Sequence, residues 1–167
     1  FFVVDRKIIV DDAFSRMRCI AKKLHAAHDG VLGQVASRLR ALSGQPSGKP
    51  LYVTQLRGGI YRDESWVRTP LQPTVVASTV DQVGSRLLFR GYGVTESASP
   101  IHAGLIANDA LILLDEAHCS TAFAETLQRI EWYRSAAWSG HDLGAPFHFV
   151  QMTATPAGKQ SGAPFCI

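Results

Sequence analysis

The sequence lacks the features that mark secreted, zinc-binding or membrane proteins. Its three cysteines, Cys19, Cys119 and Cys166, are far apart and form no CxxC pair, which argues against a disulfide framework and against a thiolate zinc site. No apolar run approaches the roughly 20 residues of a transmembrane helix, and no signal-peptide pattern is present. We therefore expect a cytoplasmic protein that has no contact with a membrane.

The sequence also lacks a Walker A loop, the GxxxxGK[ST] motif that cradles nucleotide phosphates. The nearest candidate has only three residues between Gly44 and Gly48, and Pro50 stands where a serine or threonine belongs. This segment also precedes a predicted strand, whereas a phosphate-binding loop follows one. Because the chain has no initiator methionine and begins and ends on apolar residues, we expect a piece of a longer protein.

The composition that is present is that of a globular protein with one domain. The 167 residues are 46% hydrophobic and 19% charged, which excludes disorder and coiled coil as the overall class. Charge is uneven, because residues 1–90 hold 14 lysines and arginines against seven acidic residues, and residues 91–167 hold three against seven. We expect the first half to face a polyanion and the second half to hold a cation.

Short apolar runs alternate with segments of helical periodicity, a pattern typical of an α/β fold. Strands are predicted over residues 1–4, 51–56, 74–77, 111–114 and 147–152. Apolar residues at helical spacing lie between them, at Ile9, Ala13, Met17, Ile20 and Leu24, at Val31, Val35, Leu39 and Leu42, at Val80, Val83 and Leu87, and at Phe123, Leu127 and Ile130. We predict a mainly parallel sheet with helices on both faces. We expect the strand at 111–114 to be buried on both of its faces.

A polar cluster follows each predicted strand at its carboxyl end. The clusters are Asp5-Arg6, Arg57-Gly58-Gly59, Thr79-Val80-Asp81-Gln82, Asp115-Glu116-Ala117-His118 and Thr153-Ala154-Thr155. Open parallel sheets bind ligands outside the carboxyl ends of their strands. The sequence therefore predicts that all five clusters lie on one rim of the sheet.

The cluster Asp115-Glu116-Ala117-His118 has the form of a Walker B motif. A buried strand that ends in an aspartate can hold Mg²⁺, usually through water, against the phosphates of a nucleotide. The adjacent glutamate can orient or deprotonate the attacking water. The alternative is an acidic strand end that caps the next helix, but the four-residue string is rare by chance. We predict that Asp115 is the Mg²⁺ residue and that Glu116 acts on water.

Thr153 lies 35 residues after His118, again at the end of a predicted strand. A threonine and a proline after a strand are ordinary on their own. Together with the acidic motif, the segment Thr153-Ala154-Thr155-Pro156 matches in order and spacing the coupling motif of nucleic-acid motors. In that motif the threonine hydroxyls contact the histidine. They couple the state of the bound nucleotide to the binding of the nucleic-acid strand. We predict this role for His118, Thr153 and Thr155.

Two further clusters offer contacts for phosphate groups. Arg57 supplies a guanidinium, and Gly58 and Gly59 supply backbone amides that no side chain obstructs. Thr79 and Gln82 have the spacing of a capping box at a helix N-terminus, which is itself a phosphate site. The alternatives are an ordinary glycine turn and an ordinary helix cap. Both interpretations stay open for these five residues.

Taken in order, the clusters resemble the first RecA-like lobe of a superfamily 2 helicase of the DEAH type. Two longer strings, SRLLFRGYG at residues 85–93 and IHAGL at 101–105, narrow the resemblance to the CRISPR-associated nuclease-helicase of type I systems, subtype I-G (formerly I-U). The resemblance implies an ATP-driven, Mg²⁺-dependent motor that a target-bound CRISPR surveillance complex recruits to foreign DNA. It implies that the motor pulls single-stranded DNA 3′ to 5′ while a metal-dependent HD nuclease domain degrades it in antiviral defence.

The same resemblance implies how the residues and the parent protein are arranged. Contacts to the DNA backbone would come from Arg57, Gly58, Gly59, Thr79 and Gln82. The chain is then a partial helicase ATP-binding domain over residues 1–167, with the P-loop and its strand before residue 1, the second RecA-like lobe after residue 167, and the HD nuclease elsewhere in the parent. Two alternatives stay open: a restriction-type superfamily 2 translocase, and a truncated, non-hydrolysing nucleic-acid-binding module.

Overall fold

The protein is described by a computed structural model that covers residues 1–59, 63–141 and 143–153. The strands in these ranges are β1 (Phe2–Val4), β2 (Tyr52–Leu56), β3 (Thr74–Thr79), β4 (Ala110–Leu114) and β5 (Phe147–Gln151). The helices are α1 (Lys7–Ala26), α2 (Gly30–Ser43), α3 (Ser65–Arg68), α4 (Val80–Leu87), α5 (Ser99–Ala107), α6 (Thr121–Arg134) and α7 (Ala136–Ser139). A short 3-10 turn, Ala117–Cys119, follows β4. None of the helices in the described part of the chain is long and apolar enough to cross a membrane.

The five strands form one sheet in the order β2-β3-β1-β4-β5, and every pair of neighbours is parallel. The predicted α/β class is confirmed, and the architecture is consistent with a RecA-like fold. Strand β3 is longer than predicted because it continues through Ser78 and Thr79. The Ser78 hydroxyl donates to the Leu56 carbonyl at 3.0 Å, so this polar side chain is satisfied inside the sheet.

Helices cover the two faces of the sheet. Helix α1 packs across β1, β2 and β3, where Val4, Val10 and Ala77 are buried. Helices α4, α5 and α6 pack on the other face, over Val3 and Ile112. Successive side chains of a strand point to opposite faces, so the burial of both Val3 and Val4 makes β1 a strand covered on both sides. This layering fixes the strand ends that carry the candidate site.

Strand β4 is buried on one face only. Ile112 and Leu114 are fully buried, but Leu111 is 48% exposed, and Val150 on the neighbouring strand β5 is 46% exposed. The expectation of burial on both faces is therefore wrong for this strand. The physical reason is that α1 packs against β1, β2 and β3, which leaves Leu111 and Val150 facing solvent.

Helix α2 exposes large apolar residues and buries small ones. Val31 and Leu42 are 76% and 70% exposed, whereas Gly33 and Ala36 are buried. A Cβ atom at Gly33 would lie 2.7 Å from the carbonyl carbon of His28, so glycine permits a close backbone approach there. Helical periodicity located this helix correctly.

Candidate functional site

The carboxyl ends of the strands form the predicted rim. Along the sheet, Arg57 follows β2, Thr79 ends β3, Asp5 follows β1, Asp115 follows β4 and Thr153 lies just beyond β5. With about 4.8 Å between neighbouring strands, the ends of β2 and β4 lie about 14 Å apart. The rim therefore has a basic half at Arg57 and an acidic half at Asp115.

Backbone hydrogen bonds fix the acidic loop between β1 and β5. The amide of Asp115 donates to the Val3 carbonyl at 2.9 Å, and the amide of Ala117 donates to the Met152 carbonyl at 3.1 Å. The Asp115 carboxylate accepts a hydrogen bond from the Glu116 amide at 3.0 Å. Glu116 has a φ of +50°, a left-handed conformation that strains a non-glycine residue. The chain thus turns sharply after β4 and keeps both carboxylates at the rim.

His118 lies between the acidic loop and the end of β5. Its Nδ1 atom is 3.0 Å from the Thr153 hydroxyl oxygen and 3.3 Å from the Glu116 carboxylate. When Nδ1 carries a proton it can donate to Glu116, and when Nδ1 is bare it can accept from the Thr153 hydroxyl. One nitrogen therefore connects the two loops in two different ways. Thr155, the other threonine assigned to this set, lies outside the described residues.

Asp115 offers the ligand chemistry that Mg²⁺ requires. Mg²⁺ keeps several waters and is usually bound by one or two carboxylates together with substrate phosphates. Within residues 1–59, 63–141 and 143–153, no group of three or more His, Cys, Asp or Glu side chains is arranged to hold a metal ion. A half-buried carboxylate at a strand end fits a magnesium ion that is shared with water and phosphates, and it does not fit a structural zinc or calcium site.

Arg57 is engaged by an acidic side chain of α1. Its Nε atom donates to the Asp11 carboxylate at 2.6 Å, and its Nη1 atom donates to the Gly58 carbonyl at 3.3 Å. Lys7 lies beside this loop, since a Cβ atom at Gly58 would be 3.5 Å from its Nζ. Gly59 has a φ of +86°, which glycine adopts without strain. Sequence reasoning missed Lys7 and Asp11, although their i, i+4 spacing at the start of α1 places both on one side of the helix.

A cluster that the sequence did not reveal anchors the segment after β2. The Tyr52 hydroxyl donates to the Asp63 carboxylate, the Thr54 hydroxyl donates to the same oxygen at 3.3 Å, and the Ser65 amide donates to Asp63 Oδ1 at 2.9 Å. Burial raises the pKa of Asp63, but these hydrogen bonds outweigh it and hold the pKa below its usual range. The i, i+2 spacing of Tyr52 and Thr54 puts both on one face of β2 but does not identify their partner.

Thr79 occupies the predicted N-cap position of α4, but the capping box is not formed. The Thr79 side chain makes no capping hydrogen bond. The Gln82 side chain turns along the helix, where its Oε1 atom accepts a hydrogen bond from Arg86 Nη1 at 2.8 Å. The predicted reciprocal cap is therefore wrong, because a buried guanidinium one turn later takes the Gln82 amide oxygen. The start of α4 still lies on the rim, since Thr79 pairs with Val4 of β1.

A buried histidine lies close to Arg86. His102 of α5 packs against Trp66 with ring centroids 5.3 Å apart and nearly perpendicular planes. Its Nδ1 atom has no hydrogen-bond partner among the described residues. Burial lowers the pKa of His102, and the positive charge of Arg86 lowers it further, whereas Glu64 raises it. The core therefore favours a neutral imidazole at this position.

The fold and the rim define an α/β protein with a five-stranded parallel sheet and a polar site at the carboxyl ends of its strands. Comparison of the chain with protein-family models, with curated proteins and with solved structures gives no match. The functional proposal consequently depends on the geometry of the rim and on the sequence motifs found there.

Proposed function

We propose that this chain is the first RecA-like lobe of an ATP-dependent DNA helicase of the DEAH type. The observation that carries the proposal is the 3.0 Å contact between His118 Nδ1 and Thr153 Oγ1. This contact links the motif after β4 to the motif after β5. A motor needs such a link because its affinity for DNA has to change with the nucleotide that is bound. An acidic residue that only caps a helix does not require one.

ATP and Mg²⁺ would bind at the acidic half of the rim. Asp115 would hold Mg²⁺, which supplies neutralising charge for the β- and γ-phosphates. Glu116, exposed beside it, would orient the attacking water and take its proton. Because Glu116 also lies 3.3 Å from His118 Nδ1, the position of this base depends on the histidine. A movement of Thr153 would therefore shift the His118 ring and, through it, the Glu116 carboxylate.

The parent protein would supply the P-loop next to β5. Strand β5 stands at the edge of the described sheet beside β4, which carries Asp115. On the same side, Leu111 and Val150 leave an apolar surface open to solvent. A phosphate-binding loop connects a strand to a helix. A strand added beside β5 would bring that loop to Asp115, and its helix would cover Leu111 and Val150.

Single-stranded DNA would cross the basic half of the rim. Arg57 and the amides of Gly58 and Gly59 lie at the end of β2, and Thr79 and Gln82 lie at the start of α4. These groups would contact phosphates, so binding would tolerate any base sequence and weaken with salt. The separation of about 14 Å between the ends of β2 and β4 leaves room for a nucleotide and a DNA strand side by side.

The parent would act in the cytoplasm as the nuclease-helicase of a type I CRISPR system. A target-bound surveillance complex would recruit it, and an HD nuclease domain would degrade the strand that the two RecA-like lobes pull. A restriction-type translocase is the second candidate within the same superfamily. A non-hydrolysing nucleic-acid-binding module is the candidate from a different class, and it is favoured by the lack of a Walker A motif in residues 1–167.

The test is DNA-stimulated ATP turnover by the full-length parent. Asp115→Asn should abolish Mg²⁺-dependent turnover, whereas Glu125→Gln, which removes an exposed carboxylate of α6, should leave it unchanged. Turnover retained by Asp115→Asn would contradict the proposal. Binding of DNA by a wild-type parent that never hydrolyses ATP would favour the non-hydrolysing module, and a nuclease domain of another fold would favour the restriction-type translocase.

A further inference from the structure

Helix α4 ends in a Schellman motif with an unusual residue at its key position. The Arg90 amide donates to the Ser85 carbonyl at 2.7 Å, and the Phe89 amide donates to the Arg86 carbonyl at 3.1 Å. These two bonds place Phe89 at the position after the C-cap, where the backbone is left-handed. Its φ is +59°. Glycine is the usual residue there because a Cβ atom is strained in this conformation.

Neither backbone preference nor packing explains a phenylalanine at this position. The Phe89 side chain is 60% exposed, so little apolar surface is removed from water in return for the strain. Strained backbone conformations persist where the surrounding structure imposes them, and they cluster at binding sites. The strained conformation of Phe89 therefore indicates a role in binding a ligand rather than in stabilising the fold.

The neighbours of Phe89 define the chemistry of that ligand. Tyr92 is 57% exposed and Arg90 is also exposed. No acidic residue occurs between Asp81 and Glu96 in the sequence. Two exposed aromatic rings flanking an arginine are the groups that bind single-stranded nucleic acid, since bases stack on the rings and phosphates pair with the guanidinium. A docking site for an apolar protein surface would not need the cation.

We propose that Phe89, together with Arg90 and Tyr92, forms a stacking contact for the bases of single-stranded DNA. The inference rests on the proposed function, because it assigns base contacts to the strand whose phosphates cross the rim. Helix α4 begins at Val80, directly after Thr79 on the rim, and its eight residues span about 12 Å. This length corresponds to about four nucleotides of a stacked strand at 3.4 Å each. A strand that turns from the rim along α4 would therefore reach Phe89 with a base after about four nucleotides.

The experiment measures fluorescence anisotropy of two labelled 20-nucleotide strands, one of thymidines and one with the same phosphates but no bases. Phe89→Gly should weaken binding of the thymidine strand by the 167-residue chain at least about fivefold, and it should leave binding of the abasic strand unchanged. Phe89→Trp, which keeps a ring, should bind both strands like the wild type. Phe89→Gly should also raise the melting temperature by about 2 °C, because it relieves the left-handed strain.

The control is Leu88→Ala, which removes a neighbouring exposed apolar side chain with an ordinary negative φ. Equal affinity of the wild type and Phe89→Gly for the thymidine strand would overturn the proposal. An equal loss for both strands, or an equal loss in Leu88→Ala, would overturn it as well, the latter in favour of a general apolar docking patch. Failure of the proposed function would be detected in a different assay, the ATP turnover of the Asp115→Asn parent. The strand-binding assay does not measure ATP turnover, so the two failures are distinguishable.

Discussion

The Arg57 guanidinium donates to the Asp11 carboxylate at 2.6 Å, an ion pair that joins the end of β2 to α1. Both side chains are partly exposed, so a phosphate of a bound strand can compete with Asp11 for the guanidinium. Asp11 thus holds Arg57 at the rim and, under the proposed function, would oppose its use by DNA. Substitution of the two partners should therefore change DNA binding in opposite directions.

Arg57→Ala in the parent should weaken binding of single-stranded DNA and reduce its stimulation of ATP turnover, while nucleotide binding stays close to normal. The slope of log affinity against log salt should flatten by about 0.7, the value for one lost phosphate contact on a single strand. Asp11→Asn is the matched variant, and it should strengthen DNA binding because the competing carboxylate is gone. If slope and affinity are unchanged in Arg57→Ala, the residue only holds β2 against α1.

The two carboxylates of the acidic loop should have separable effects in the parent. Glu116→Gln should leave ATP binding largely intact and reduce turnover by about 10²-fold or more, the usual scale for a positioned base. Asp115→Ala should instead weaken binding of the Mg²⁺–nucleotide complex. Titration with a fluorescent ATP analogue and a turnover assay distinguish the two. Equal damage to binding and turnover in both variants would refute the separate roles.

The chain over residues 1–167 should not hydrolyse ATP at a measurable rate by itself. Phosphoryl transfer needs a P-loop lysine, Mg²⁺ and a charge-stabilising arginine together, and no Walker A motif occurs in this sequence. Phosphate release from the purified chain, with and without single-stranded DNA, checks the expectation. DNA-stimulated turnover that Asp115→Asn abolishes would show that the chain carries a complete site.

His102 should make the stability of the fold depend on pH. Its pKa is lowered in the folded protein by burial and by Arg86, so folding disfavours the protonated form. Stability should be full above the unfolded value of about 6.5 and should fall as the pH drops below it toward the folded value. Urea unfolding at pH 7.5 and pH 5 should show a smaller difference in His102→Phe than in the wild type. His28→Gln, at an exposed position, should retain the wild-type difference.

The sequence predicted the sheet and the rim because strand patterns and polar strand ends are local. It located all five strands, and it placed Asp115, Thr79 and Arg57 at strand ends, where the structure has them. It could not predict contacts between distant residues, such as Arg57 with Asp11 or Asp63 with Tyr52. These pairs depend on how α1 and the segment after β2 pack, and no spacing in the chain encodes that.

Local patterns also failed where two partners compete or where a face has no covering element. The capping-box spacing of Thr79 and Gln82 was overridden because Arg86 takes the Gln82 oxygen. The apolar run of β4 predicted burial on both faces, but Leu111 is 48% exposed because α1 packs over β1, β2 and β3. In both cases the tertiary partner, rather than the periodicity, decided the outcome.

The most direct test of the account is a double-mutant cycle on His118 and Thr153 in the parent, measured as the stimulation of ATP turnover by single-stranded DNA. His118→Ala and Thr153→Val should each reduce the stimulation about tenfold or more, and the double variant should be no worse than His118→Ala, because the contact between His118 and Thr153 is already lost in that single variant. Thr153→Ser keeps the hydroxyl and should behave like the wild type. Independent, additive effects of the two substitutions, or normal stimulation in either single variant, would contradict the claim that this contact couples ATP to DNA.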